Sequence, residues 1–155
     1  MELKWRDMTR EIIFKGKKVD NGEWIEGYLF DNGMSAEKRM FIGRLVIVPY
    51  EGTACDKWSI EGIDFDEVDP DTICEYTGLT DKNGNKIWEN DICNPKERFP
   101  EIVRMHNGDW ILDYSYSYGK DYGYCYRNLG FYVRERNFIE VIGNIFDNPE
   151  LVKEG

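Results

Sequence analysis

The stretch EIIFKGKKVDNGEWIEGYLF, residues 11–30, decides the fold class. At its centre stands Asp20-Asn21-Gly22-Glu23, and an Asn-Gly pair supplies the positive φ angles that a tight hairpin turn requires. The arm after the turn, WIEGYLF, alternates between two faces with the period of two that is typical of a strand. Residues 11–30 therefore predict an antiparallel β-hairpin.

The same signal recurs further along the chain. Asn83-Gly84 lies inside TICEYTGLTDKNGNKIWENDIC, residues 72–93, and Asn107-Gly108 separates IVRMH from DWILDYSYSY. A last strand is predicted over residues 138–146, and long helical periodicity is nearly absent. We therefore expect a mainly β protein of short antiparallel hairpins that form one or two small sheets or barrels, with an SH3-like barrel as one candidate for the C-terminal part.

Two segments of the first half carry further predictions. MFIGRLVIVPY, residues 40–50, is continuously apolar, which predicts the most buried strand, interrupted at Pro49. EGIDFDEVDPD, residues 61–71, holds six acids and a proline, which predicts a solvated connection. We place a soft boundary there, between an N-terminal hairpin subdomain over 1–69 and a C-terminal barrel-like subdomain over 70–155, with one compact unit as the alternative.

Composition excludes several classes of protein. The 155 residues include 30 acids and 20 bases, and the formal charge of -10 disfavours binding to phosphate backbones. The N-terminus lacks the apolar segment of a signal peptide, and no apolar run approaches the length of a membrane span, so we expect a cytoplasmic protein. The cysteines lack any close pair and are predicted to be reduced and buried. They are Cys55, Cys74, Cys93 and Cys125.

No catalytic or metal-binding constellation stands out. His106 is the only histidine, it lies beside a predicted turn, and it favours a turn residue over a catalytic base. Zinc would need paired Cys or His ligands, which the chain lacks. Asp81, Asn83 and Asn85 match the first ligands of a calcium loop, but Lys86 replaces its glycine and the hairpin interpretation is better.

Carboxylates offer two weaker enzymatic alternatives. The acidic run from Asp64 to Asp71 could bind magnesium, but neighbouring side chains in an extended segment splay apart. Asp91, Glu101 and Asp109 could converge from separate strands around a metal. The sequence favours neither, so we predict no cofactor, no metal and no enzymatic activity.

Alternating tyrosines are the most unusual local feature of the sequence. On paired strands each set of three would share one face, edged by arginines, that could stack nucleic-acid bases or anchor a protein contact. Cross-strand packing of the rings is the structural alternative. The predicted binding residues are Tyr114, Tyr116, Tyr118, Tyr122, Tyr124, Tyr126, Arg127, Arg134 and Arg136.

Three stretches of the chain resemble the YopX family of small phage and prophage proteins. They are REIIFKGKKVDNGEWIEGYLF, TICEYTGLTDKNGNKIWENDIC and FIEVIGNIFDNPELV, which together bracket nearly the whole chain. Residues 1–8 precede the family's usual start, and Asn90 stands where the family often has glycine. The resemblance implies a mostly β fold and a bacterial host cytoplasm, but it implies no biochemical activity.

The sequence therefore predicts a phage or prophage accessory protein without enzymatic activity. We expect it to bind another protein or a second copy of itself, and no membrane. The alternative is a role with nucleic acid, either single-strand binding by the tyrosine and arginine face or mimicry of DNA by the acidic half. The second alternative is a metal-dependent hydrolase with dispersed carboxylates.

Overall fold

Antiparallel hairpins build the chain, as its Asn-Gly turns predict. A computed structural model describes residues 10–50, 52, 57–94, 99–118, 123–136 and 138–153. The chain divides into two compact units: a first unit of Ile12–Ile73, and a second unit of Arg10, Glu11 and the residues from Cys74 onward. The division lies four residues after the predicted boundary at residue 69.

The first unit is a four-stranded antiparallel meander. In this unit the strand order is β4-β3-β2-β1, so that each strand pairs with its neighbour in sequence. The hairpin predicted over residues 11–30 is confirmed, with Phe14 opposite Gly27 and Lys17 opposite Trp24. Gly22 carries the positive φ of its turn. The strands are β1 (Phe14–Lys17), β2 (Trp24–Asp31), β3 (Met40–Pro49) and β4 (Trp58–Val68).

A small buried core lies on one face of this meander. Ile42 and Val68 are fully buried, and Gly16 lies so close to both that a Cβ there would be 3.2 Å from each side chain. An isolated bridge between Lys18 and Val68 fixes the end of β4 beside the turn that follows β1. Burial in the first unit is therefore concentrated at this end of β3 and β4.

The prediction that residues 40–50 form the most buried strand is wrong. In β3 only Ile42 and Gly43 are buried, whereas the stretch from Arg44 to Ile47 is exposed. A continuously apolar run indicates that both faces of a strand are apolar, but it does not reveal whether the chain's own residues cover them. Here the outer half of β3 reaches solvent.

The prediction of a solvated connection over residues 61–71 is also wrong. The long strand β4 runs through Val68, and the connection is only the short segment after it, with a 3₁₀ turn at Pro70–Thr72. Asp69 begins that turn by accepting a hydrogen bond of 3.0 Å from the Asp71 amide. Within β4, Asp64 and Asp66 alternate with Ile63 and Phe65 and share one face, a pattern that a strand accommodates.

The second unit contains a hairpin of β5 and β6 and a five-stranded antiparallel sheet in the order β10-β9-β8-β7-β11. Among the described residues this sheet is open, so the barrel alternative is not realised there. Its strands are β5 (Cys74–Thr80), β6 (Lys86–Trp88), β7 (Asp91–Asn94), β8 (Glu101–His106), β9 (Asp109–Asp113), β10 (Tyr126–Asn128) and β11 (Glu140–Asn144). A short helix α1 (Leu129–Phe131) continues into a π-helical turn at Tyr132–Arg136.

Asparagine and glycine set the tight turns of the second unit. Asn107 and Gly108 both have positive φ, of 50° and 86°, which is the conformation of a two-residue hairpin turn. Asn90 has φ of 65°, so asparagine adopts here the left-handed conformation expected of the glycine that it replaces.

One continuous core underlies the second unit. It consists of side chains from β6 to β9, from α1 and from the segment before β11. They are Ile87, Cys93, Val103, Leu112, Leu129 and Ile139.

Gly43 should tolerate no side chain. A Cβ there would lie 2.6 Å from Phe65 Cα, which requires the backbone of β3 or β4 to shift. We expect Gly43→Ala to lower the free energy of unfolding by about 1–3 kcal/mol in urea titrations. Gly130→Ala is the control, since its Cβ would make an ordinary contact at 3.5 Å. Equal stability of the two variants would contradict this packing.

Candidate functional site

Large apolar side chains cover one face of β2, β3 and β4. Each of eight is between 37% and 64% exposed, and Trp58 is the most exposed of them. We call this set the apolar face. It consists of Tyr28, Phe30, Leu45, Ile47, Trp58, Ile60, Ile63 and Phe65.

The strand register places these side chains together. Residues directly opposite each other in an antiparallel pair project to the same face. Leu45 lies opposite Ile63, and Ile47 lies opposite Ile60. Pro49 lies opposite Trp58, and Gly43 lies opposite both Tyr28 and Phe65. Four successive rows across β3 and β4 therefore carry no charged side chain on this face.

An irregularity in the pairing keeps the face continuous. Ile60 and Ile63 are three residues apart, so in a regular strand they would point to opposite faces. The register shifts between Val46 and Ile47, which leaves Glu61 as an extra residue in β4. This β-bulge returns Ile60 to the face that Ile63 occupies, and without it the apolar rows would end at Ile63.

A triangle of aromatic rings closes one end of the apolar face. The ring centroids of Phe30, Phe41 and Phe65 lie 5.4 to 5.9 Å apart, with two edge-to-face contacts and one stacked contact. Such aromatic pairs contribute beyond the area that they bury. The rings therefore hold each other in place while Phe30 and Phe65 remain open to solvent.

Charged side chains lie behind and beside the apolar face. On the opposite side of the hairpin Arg44 faces Asp64, and Asp66 pairs with Lys18 at 3.2 Å. Next to the phenylalanine triangle the guanidinium of Arg39 donates to both carboxylate oxygens of Glu67. The acids of β4 therefore lie on one face and at one rim of the sheet.

Sequence reasoning missed this site because it weighed the acids of residues 61–71 and the apolar run of residues 40–50 separately. The signal that could have found it is the alternation of Ile63 and Phe65 with Asp64 and Asp66. That period of two is typical of a strand with one apolar face.

The predicted tyrosine strands do not form as expected. Strand β9 ends at Asp113, and a 3₁₀ turn occupies Ser115–Ser117. The Ser115 amide donates to the Asp113 carboxylate, and the Ser117 hydroxyl donates to the Tyr114 carbonyl. These local bonds compete with a strand ladder, so Tyr114, Tyr116 and Tyr118 do not alternate along a strand.

Arg127 organises the first group of predicted binding residues. Its guanidinium carbon lies 5.2 Å from the ring centre of Tyr114 and 5.4 Å from that of Tyr132. Its Nε lies 3.4 Å from Oε1 of Glu101, which is 1% exposed. Tyr118 packs edge-on against Tyr114 at 6.0 Å. Arg127 is therefore engaged by a buried carboxylate and by aromatic rings.

A second group of predicted binding residues surrounds the single histidine. His106 stacks on Tyr124 at 4.6 Å and lies 5.0 Å from Tyr126. Both tyrosines are about half exposed. Both tyrosines contact His106 through their aromatic rings. The side-chain amide nitrogen of Asn107 lies 3.1 Å from His106 Nε2.

The remaining tyrosines and arginines are dispersed. The Tyr116 hydroxyl donates to the Pro100 carbonyl at 2.7 Å, and burial followed by the Glu101 charge raises the pKa of Tyr116. Arg134 lines an open hollow of about 330 Å³ beside α1. Tyr122 and the side chain of Arg136 lie outside the described residues. The binding role of this set stays a prediction.

Two of the three carboxylates predicted to converge make contacts within the fold, and the third is exposed. Asp91 accepts a 2.8 Å hydrogen bond from the Trp88 amide, Glu101 faces Arg127, and Asp109 lies exposed at the start of β9. In the part of the chain that the structure describes, no three His, Cys, Asp or Glu side chains are placed to bind one metal ion.

Asp81 accepts hydrogen bonds from several amides. Its Oδ1 accepts from the amides of Asn83 and Asn85, each at 2.9 Å, and its Oδ2 accepts from the Val141 amide at 3.1 Å. Burial raises the pKa of Asp81, but these donors outweigh burial and lower it below the ordinary value. The predicted hairpin turn is confirmed, and its carboxylate accepts from amides of the turn and of β11.

The described cysteines are free thiols. Cys74 and Cys93 are buried and Cys125 is half-buried, while Cys55 lies outside the described residues. Burial, and then the nearby charges of Asp91, Glu101 and Asp81, raise the pKa of Cys93 well above its ordinary value. A thiol held protonated in this way is a poor nucleophile.

The fold and the site define a class of small, mainly antiparallel β protein that presents an apolar sheet face. Among the described residues, no helix combines the length and the apolar character needed to cross a bilayer. The crystal structure of protein EF1440 from Enterococcus faecalis has a similar fold, with a TM-score of 0.58. The two chains are 24% identical, and the match covers 94% of this chain and all of that one.

The sequence profile of the family described as YopX protein matches residues 28–153. The chain belongs to the YopX family, which confirms the resemblance drawn from its three motifs. No curated protein matches it.

Asp81 should make stability depend on pH. A carboxyl whose pKa is lower in the folded state stabilises the fold above its unfolded pKa of about 4. That contribution disappears as the pH falls through the folded pKa. We expect Asp81→Asn to cost about 1–3 kcal/mol of unfolding free energy at pH 7. The difference from wild type should shrink below pH 4 in urea titrations, and a difference independent of pH would contradict the assignment.

Arg127 and Arg134 should differ in their effect on stability. Arg127→Met leaves the buried Glu101 carboxylate without this cation, which we expect to cost about 3 kcal/mol or more. Arg134→Met removes an exposed charge and should change stability by less than about 0.5 kcal/mol. Urea unfolding followed by tryptophan fluorescence measures both. Equal effects would show that the pairing of Arg127 with Glu101 contributes nothing.

Proposed function

We propose that this YopX-family chain is a non-enzymatic accessory protein that binds protein through the apolar face of its first unit. The observation that carries the proposal is the set of four uncharged rows across β3 and β4, with large side chains about half exposed. An apolar patch of this size on a soluble protein marks a contact site. A phage or prophage origin, implied by the family resemblance, is consistent with an accessory role.

The composition of the apolar face favours protein over other ligands. Aromatic residues and large aliphatic residues are enriched in the buried centres of protein interfaces, where charged residues are depleted. Trp58 and Tyr28 are of the types that contribute most to binding energy. An extended sheet offers flat contact area, in contrast to the concave pockets that small molecules occupy.

The alternative of nucleic-acid binding has less support. The net charge of -10 repels phosphates, and Arg127 already faces the buried Glu101. The four uncharged rows across β3 and β4 present no cation to a phosphate. Base stacking on Trp58 or Tyr28 would therefore lack the electrostatic attraction on which such binding depends.

Photo-crosslinking in bacteria tests this function. Ile47 and Val46 are neighbours in β3, each is 54% exposed, and they project to opposite faces of the hairpin. We expect a benzophenone amino acid at position 47 to yield a protein adduct of discrete mass, and the same group at position 46 to yield none. The adduct should disappear when Ile63→Glu is added.

Two results would overturn the proposed function. One is the absence of any protein adduct from position 47. The other is an equal yield from positions 46 and 47, which would show that general exposure and not the apolar face determines contact.

A further inference from the structure

We propose that the occupant of the apolar face is the same face of a second copy of this chain, packed across a twofold axis as two layers of sheet. This inference rests on the proposed function and identifies its partner. It is carried by the area of the face, by its self-complementary shape and by the position of its charged rim.

The area matches what a stable dimer needs. Taking about 150–250 Å² as the full surface of a large side chain, the eight exposed members present on the order of 800 Å² to solvent. A standard protein interface covers about 800 Å² on each partner. Interfaces between identical subunits are also the most apolar class, which agrees with four rows that carry no charge.

A twisted sheet face is a natural partner for a copy of itself. Two sheets pack face to face about 10 Å apart with their strands nearly aligned, and interdigitating side chains form the layer between them. A twofold axis brings the same patch from both subunits together, so one surface must complement itself. A face of alternating aromatic and aliphatic side chains on regular strands satisfies that condition.

The rows of the face locate the axis. From Phe41 opposite Glu67 at one end to Pro49 opposite Trp58 at the other, the row of Leu45 and Ile63 is central. A twofold axis above that row places the Phe65 end of each copy over the Trp58 end of the other. Arg39 and Glu67, paired at the Phe41 end, then lie at the rim, where interfaces are polar and hydrated.

Sedimentation velocity and light scattering of the purified full chain test the self-association. We expect wild type to have twice the chain mass of 18.3 kDa. Ile47→Glu and Ile63→Glu should each weaken dimerisation by at least about 100-fold, because each would bury unpaired charges in an apolar contact. Val46→Glu, the control on the opposite face with the same exposure, should remain dimeric.

Folding of the variants is checked separately. The substituted side chains are all exposed in the single chain, so far-ultraviolet circular dichroism and the unfolding midpoint at low concentration should match wild type. A benzophenone amino acid at position 63 should also crosslink to Leu45 of an isotope-labelled second copy, which lies on the inner strand β3. That result identifies the face and excludes pairing through the β4 edge.

Four outcomes are decisive. A wild-type monomer overturns the self-association. Equal behaviour of Val46→Glu and Ile47→Glu also overturns it. A monomer whose position 47 still yields an adduct with a different protein overturns the second copy as partner but leaves the proposed function standing. A monomer that yields no adduct from position 47 removes both.

Discussion

The antiparallel register between β3 and β4 determines which side chains of the first unit meet solvent. Because side chains alternate along a strand, a shift of one residue would exchange the two faces of the hairpin. The bulge at Glu61 makes such a shift inside the strand and brings Ile60 beside Ile47. The bulge thereby extends the uncharged rows of the apolar face from Ile63 to Ile60 and Trp58.

The second unit depends on a different kind of constraint, which is a buried acceptor. Asp81 gathers amides from its own turn and from Val141, so that one carboxylate joins two segments sixty residues apart. Beneath it the core of the unit is apolar and continuous. Asp81 thus completes backbone hydrogen bonds of this unit, while Tyr114 packs on Arg127 and Tyr124 packs on His106.

Much of the fold was predictable from sequence, because hairpin turns are local. Asn107-Gly108 and Asn83-Gly84 reveal their conformations through the residues themselves, and the left-handed Asn90 follows from the same chemistry. The apolar face was not predictable in the same way. Whether the apolar run of residues 40–50 is covered depends on the length and register of β4. The six acids in residues 61–71 led to the prediction of a solvated connection in place of that strand. The predicted tyrosine strands did not form for a related local reason. Hydrogen bonds to the Asp113 carboxylate and from the Ser117 hydroxyl form a turn where the strand ladder was expected.

An uncovered apolar sheet face is energetically costly for a soluble chain. At about 25 cal/mol per Å², burying roughly 800 Å² on each of two partners corresponds to a gross gain of tens of kcal/mol, most of which is offset by lost freedom on association. Domains normally bury such a face beneath a second layer of secondary structure. The described part of the first unit supplies that layer for Ile42 and Val68 on one side only. The other side has the composition of a domain interior, and the Arg39–Glu67 pair at its edge has the composition of an interface rim. This combination supports the proposed protein contact, because the charged pair at the edge of the face limits how a partner can be placed.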